Sequence, residues 1–318
     1  MEKPSILLST FHQATETLTR MRYLGILNPN IKIGWQHTDY VDSKVFANLS
    51  RRIDMTFLPH SGLKKSWVEL YGVSSNQVLA TGISVNPDLA ESLTPEARAL
   101  FLESKGLKAN VRTIVLMSGV NAVGDFPTIL RSISEGTNDP VQIVAICGKN
   151  ADQLAAIQTL SLPSNAILKA EGFTKPEDVG KYFKSADVIV TKAGGLSSAE
   201  IFTIGKPTVL LDINGGQERY NIHYFEKYRL AKGVRDQTKV GSAVAEAVTE
   251  ATDFSALIER QRAFASERDV KSPGEWVTEQ VAEMKRKYPN GVPVLLPTRP
   301  TRFRRCLENL KEPFLFNI

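Results

Sequence analysis

The sequence predicts an α/β protein built on parallel sheets. Short runs of aliphatic and β-branched residues alternate along the chain with stretches of helical spacing. One stretch, residues 187–223, spells strand, small-residue turn, helix and strand in order, which is a βαβ unit. The 318 residues, 42% hydrophobic and 23% charged, are enough for two domains with their own cores and argue against a disordered chain.

The elements follow in order. Ile6, Leu7 and Leu8 read as a first strand, and 11–24 as a helix. Ile31, Ile33 and Trp35 begin a second strand that runs out at Gln36-His37-Thr38-Asp39. A helix over 43–49, a strand at Met55, Phe57 and Leu58, a helix over 62–71 and a strand at 78–80 complete the first region. His37 and Asp39 lie where a strand should end, the usual place for ligands in open α/β sheets. The plainer alternatives are a packed histidine and a loop carboxylate with a capping role. Small residues, Gly82 and Pro87 then mark a linker.

The second region opens with a helix over 95–105 and a strand over 113–117. The loop 118–124 follows, with Ser118 and Asn121 as candidate ligands. A helix at 126–133 and a strand at 141–147 lead to Cys147-Gly148-Lys149-Asn150. Cys147 reads as a buried strand residue, because no histidine base lies near it in sequence. Lys149 suits a phosphate or a solvated turn. A helix over 154–160 and a short strand at Ile167, Lys169 and Glu171 end at Gly172-Phe173-Thr174, where Phe173 is either a stacking surface or a core aromatic. Pro176 starts the next helix, a favourable first-turn position.

In the βαβ unit, Val188, Ile189 and Val190 form the strand. Lys192, Ala193, Gly194 and Gly195 form the turn, and 196–204 the helix. Val209, Leu210 and Leu211 form the second strand. Such glycines bring backbone close to a ligand, and the free N–H groups of a helix start favour an anion. Ser197 and Ser198 add hydroxyl donors. Glu200, deeper along the helix, would repel phosphate but suits a sugar diol. Gln217, Glu218 and Asn221 open the following helix with groups suited to sugar hydroxyls. Beyond it come an edge strand at 231–234, helices over 241–249 and 254–264, and a last helix over 275–288.

The motif residues Thr191, Lys192, Gly194, Gly195, Ser197, Glu200, Gly216, Gln217, Glu218 and Asn221 resemble, in order and separation, a TK-x-GG-x-[ST]-x-x-E segment followed by GQE-x-x-N. That pattern belongs to the glycosyltransferases of family 28 that make glycosyldiacylglycerols (the monogalactosyldiacylglycerol synthases and processive diacylglycerol glucosyltransferases), together with their peptidoglycan N-acetylglucosaminyltransferase relatives. Cys147 to Asn150 is similar to the family's C-G-[RK]-N turn, and Thr38-Asp39-Tyr40 resembles its Thr-Asp-Phe. The resemblance implies a GT-B fold of two facing Rossmann-like domains, the first truncated because the glycine-rich, histidine-bearing opening loop is missing. It divides the chain into a partial acceptor-side domain at 1–85, a nucleotide-sugar domain at 86–272, a crossover helix at 273–290 and a basic, apolar tail at 291–318.

The resemblance also implies an activity. A UDP-sugar would give up a hexose or N-acetylhexosamine, with inversion, to a lipid acceptor such as diacylglycerol. The diphosphate would meet Gly194 and Gly195, with the helix dipole and Lys192 stabilising the leaving group. Glu200 would take the ribose, and Gln217 and Glu218 the transferred sugar or its phosphate side, with Asp39 as base assisted by His37. The alternative is a nucleotide-sugar-binding subunit completed by a further protein segment. A nucleotide-sugar epimerase would need several acids and bases around one sugar, and the first domain is poor in them. No cofactor beyond the donor and no metal is expected, since four histidines and two cysteines, Cys147 and Cys306, are scattered. No nucleic-acid module is recognisable. With no secretory signal and no membrane-spanning stretch, the cytosol is the expected compartment. The net charge of +5 and the tail arginines 299, 302, 304 and 305 suit peripheral contact with an anionic membrane, or packing on the protein body.

Overall fold

A computed structural model describes residues 5–249, 254–269 and 271–289. The tail at 291–318, on which the membrane-contact expectation falls, lies outside them. The chain forms two compact units of the α/β class. Among the described residues, unit 1 takes in 5–38, 42–81 and those from 268 to 289, and unit 2 takes in 39–41 and those from 82 to 267.

Unit 1 carries β1 (Ile6–Ser9), α1 (His12–Tyr23), β2 (Lys32–Gln36), α2 (Lys44–Ser50), β3 (Met55–Leu58), α3 (Ser61–Glu69) and β4 (Val78–Ala80). The four strands are parallel and lie in sequence order, with Leu7 beside Ile33, Trp35 beside Thr56 and Phe57 beside Leu79. A parallel sheet needs cover on both faces, and Ile33, Trp35, Phe57, Leu63 and Trp67 are accordingly buried. The helices start where side chains take their free N–H groups: Ser43 accepts from Val45 N before α2, and His60 from Gly62 N before α3.

Unit 2 carries α4 (Pro95–Ser104), β5 (Arg112–Met117), α5 (Phe126–Glu135), β6 (Val141–Ile146), α6 (Ala151–Gln158), β7 (Ala166–Glu171), α7 (Pro176–Ser185), β8 (Val188–Lys192), α8 (Gly195–Ile204), β9 (Thr208–Leu211), α9 (Gln217–Lys227), β10 (Lys232–Val234), α10 (Val240–Thr249) and α11 (Phe254–Ser266). Its six parallel strands lie in the order β10-β9-β8-β5-β6-β7. The central strands are buried along most of their length, β6 at every position from Val141 to Ile146. α5 turns Phe126, Ile129, Leu130 and Ile133 into this core, all buried. Each such side chain contributes about 1.5–3 kcal/mol.

The chain returns to unit 1 in α12 (Pro273–Lys287), which opens with a capping box between Ser272 and Glu275. Trp276 meets Phe57 edge-on at 5.6 Å between ring centres. Asp269, just before α12, accepts from Ala80 N and Lys64 Nζ, each at 2.7 Å. No helix among the described residues is long and apolar enough to cross a membrane.

Candidate functional site

Strand order decides where unit 2 opens. Counted from β5, its strands lie in the order sixth, fifth, fourth, first, second, third. The order reverses between β5 and β8, and the chains leaving those two strands diverge there, opening a crevice beyond their carboxyl ends. A cavity of about 620 Å³ occupies this place. Its wall includes Met117 and Gly119 at and after the end of β5, Gly148 after β6, Phe173 after β7, and Ser197 and Glu200 on α8. A second cavity, about 450 Å³, lies around Asp212, Arg219 and Arg235 and gathers none of the residues singled out in the sequence. Asp212 there is already paired with Arg219 at 2.8 Å, so the larger cavity carries the functional argument.

The helix facing the larger cavity has a bare start. Gly194 caps α8 without a side-chain bond, and the first backbone bond within it runs from Ser198 N to Gly194 O at 3.0 Å. The N–H groups of Gly195, Leu196 and Ser197 therefore have no carbonyl within the helix, and the positive end of the helix dipole lies among them. This is an anion site by construction. Ser118, Thr191 and Ser198 each hold a buried hydroxyl without a hydrogen-bond partner among the described residues, an uncommon condition, and none of the three is in the cavity wall. Thr191 is not among the ligands expected from the sequence; its only signal there is its place at the head of the glycine motif.

Glu200 reaches the same cavity half-buried, and burial raises its pKa above the usual carboxylate range. Phe173 is 64% exposed and lines the cavity, so it is an available ring rather than a core aromatic. Two positive-φ glycines let the cavity form. Gly148 has φ +56°, and a Cβ there would lie 2.1 Å from Val120 O, a carbonyl that already accepts from Lys149 N at 2.7 Å. Gly119 has φ +69°, and a Cβ there would lie 3.1 Å from Lys192 Cε. The side chain of Lys149 is exposed and outside the cavity wall, as is that of Asn121, whose carbonyl accepts from Asn150 Nδ2 at 3.0 Å. Both contribute backbone to the turn. Asn86, Asp88 and Leu89 of the linker also line the cavity, a role no motif announces.

A second group surrounds the turn at 192–194. Lys192 is ion-paired with Glu218 in the first turn of α9, where Gln217 is the first residue. Asn221, fully buried, donates to Ala193 O at 2.8 Å and to Asp39 Oδ1 at 3.1 Å, and accepts from Tyr40 N at 2.6 Å. Its amide is engaged by protein atoms, so it ties the segment 39–41 to the turn. Tyr40 adds a packed anchor against Tyr224, Phe225 and Phe264.

The two residues expected to be catalytic fall in different units. Asp39 belongs to unit 2, while His37 belongs to unit 1. There His37 is 2% exposed, stacked on Trp35 at 4.8 Å and flanked by Phe46 and Trp67. Cys147 is fully buried, and burial pushes its thiol up to about 11, which leaves it un-ionised near neutrality. Among the described residues, no group of three or more His, Cys, Asp or Glu side chains is placed to hold a metal ion.

Residues 121–272 match the family model for the glycosyltransferase family 28 C-terminal domain. That match falls almost wholly in unit 2. The chain is also 28% identical over 236 residues to a processive diacylglycerol beta-glucosyltransferase of Bacillus pumilus (strain SAFR-032), covering 73% of this chain and 57% of that protein. A protein of the same name from Bacillus mycoides (strain KBAB4) is 26% identical over 304 residues, covering 95% of this chain and 74% of the relative. Against the first, the chain thus spans less than two thirds of the relative's length. Among solved structures, Anabaena Alr3699/HepE in complex with UDP-glucose matches 88% of this chain and 79% of its own, at a TM-score of 0.56 and 12% identity. The fold is therefore α/β of the GT-B type. The bare start of α8, Phe173 and Glu200 fall inside the matched segment, and Met117, Gly119 and the linker residues of the cavity wall precede it.

Proposed function

We propose that the family 28 domain binds a UDP-sugar in the cavity between β5 and α8, and that the chain acts as an inverting glycosyltransferase on a lipid acceptor such as diacylglycerol. The observation that carries this reading is the wall of that cavity. One face is an open helix start able to take a diphosphate, and one turn further along the same helix is a carboxylate able to take a ribose diol. The relatives named as diacylglycerol glucosyltransferases support the acceptor class, and the UDP-glucose complex of HepE supports the donor. An acceptor hydroxyl attacks the anomeric carbon and a new C–O bond forms. The bond from that carbon to the β-phosphate oxygen breaks, and UDP departs with its charge received by the N–H groups of α8. Asp39 takes the hydroxyl proton. A lipid acceptor places the protein at a membrane surface during turnover, as a peripheral protein. A donor-binding subunit without transfer activity of its own is the second reading, favoured by the family-model match, which is to the C-terminal domain at residues 121–272.

Calorimetry of the full chain with UDP tests the donor site. UDP should bind, and Glu200→Ala should weaken binding by about 1–3 kcal/mol, the scale of losing hydrogen bonds to a charged group. No detectable heat at millimolar UDP would remove the assignment.

A further inference from the structure

Lys192 stands at the end of β8, beside the glycine turn, where a direct contact with the donor diphosphate is the obvious role. The structure gives it another partner. Its ammonium is bonded to Glu218 Oε1, and the pair is mostly sheltered from solvent, with 28% of the lysine side chain and 16% of the glutamate side chain exposed. Gly119 lies close against the stem of the lysine, since a Cβ at Gly119 would lie 3.1 Å from Lys192 Cε and 3.8 Å from Cδ. A Cβ at Gly194 would lie 3.7 Å from Lys192 Nζ, which places the ammonium next to the residue that caps α8. The stem thus runs between the β5 loop and the glycine turn and ends on the first turn of α9. Glu218 Oε2 is buried and has no hydrogen-bond partner among the described residues.

A carboxylate in this place is a liability for an anion site. The ammonium of Lys192 stands beside Gly194 at the start of α8 and is bonded to Glu218, so the carboxylate and that helix start adjoin the same turn. Like charges repel more strongly where solvent is partly excluded, and 16% of the Glu218 side chain is exposed. A neutralised Glu218 favours a diphosphate at α8.

We propose that Lys192 is a positioning residue that acts through Glu218: it cancels the carboxylate charge and fixes its orientation, so that a nucleoside diphosphate can occupy the start of α8. The inference rests on the donor-site reading above and deepens it. The lysine charge serves the site through the glutamate, and its value to the ligand vanishes once the glutamate is made neutral.

The test is a double-mutant cycle on the full chain, read by calorimetry with UDP, with thermal melting to verify folding. Lys192→Met should weaken UDP binding by about tenfold or more. Glu218→Gln sets the reference level without the carboxylate charge. The double variant Lys192→Met/Glu218→Gln should bind UDP within about threefold of Glu218→Gln, well above Lys192→Met. A double variant as weak as Lys192→Met would overturn the proposal and assign Lys192 a direct phosphate contact. Should Lys192→Met fail to fold, the comparison of Glu218→Gln with the double variant remains decisive, because removing the lysine from a neutral background should cost nothing measurable. Absence of UDP binding by the wild-type chain would instead bring down the donor site itself, and this role with it.

Discussion

Glu200 is where pH should act on ligand binding. Its carboxyl is raised above the usual range by burial in the cavity wall, which penalises the charged form. A ribose diol donates its hydrogen bonds to the carboxylate, so binding favours the ionised state. The sign follows: affinity is full above the raised pKa and declines as pH falls through it, earlier than for an ordinary glutamate. Calorimetry with UDP from about pH 7.5 down to about pH 5, on the wild type and on Glu200→Gln, isolates the effect, because titration of the phosphate is common to both. The ratio of wild-type to variant affinity should fall with acidification. A ratio constant across the range would show that Glu200 does not meet the ligand as a carboxylate.

At the scale of elements, the turns after β5 and β6 build the cavity together, and Gly148 is where their backbones come closest to a clash. Alanine there would force a Cβ to within 2.1 Å of Val120 O while keeping φ at +56°, so the β5 loop must move. Gly106, with φ +75° and nothing within 4 Å of the point where a Cβ would stand, isolates the backbone cost alone. Gly106→Ala should lose about 1 kcal/mol of stability with UDP binding intact. Gly148→Ala should lose about 2–4 kcal/mol and weaken UDP binding too. Equal losses in thermal or urea unfolding would refute the contact. This contact also marks what a sequence can disclose. The Cys147–Asn150 turn is legible because local residue types specify it, and α8 is legible because glycines precede an apolar run. Helix starts are readable within a few residues wherever proline or a capping side chain marks them, as at Thr94, Asn150 and Ser272. The closeness of Gly148 to Val120 is a long-range fact with no local signature. So is the burial of Asn221, whose amide type fits a sugar ligand equally well until its three protein partners are seen. His37 likewise carries reactive chemistry in sequence, and only the aromatic rings around it reveal a packed position.

At the scale of the whole molecule, the two units are not consecutive in sequence. Residues 39–41 lie within the span of unit 1 and belong to unit 2, and the described residues from 268 to 289 belong to unit 1. The short inserted segment carries Asp39, and Asn221 ties its carboxylate to the turn from which α8 starts. That placement makes Asp39 the residue on which transfer should depend while donor binding does not. Exchange for asparagine keeps the Oδ1 acceptor that meets Asn221 Nδ2 at 3.1 Å and removes only the charge. UDP affinity of Asp39→Asn should therefore stay within about threefold of the wild type. Transfer from labelled UDP-glucose, UDP-galactose or UDP-N-acetylglucosamine to diacylglycerol in mixed vesicles should fall by roughly 100-fold or more, the usual contribution of a placed general base. Undiminished transfer by the variant would exclude Asp39 as the base. A wild-type chain that binds UDP yet transfers none of the three sugars would decide for the donor-binding subunit, because the cavity of unit 2 would then be functional without the chemistry that follows binding.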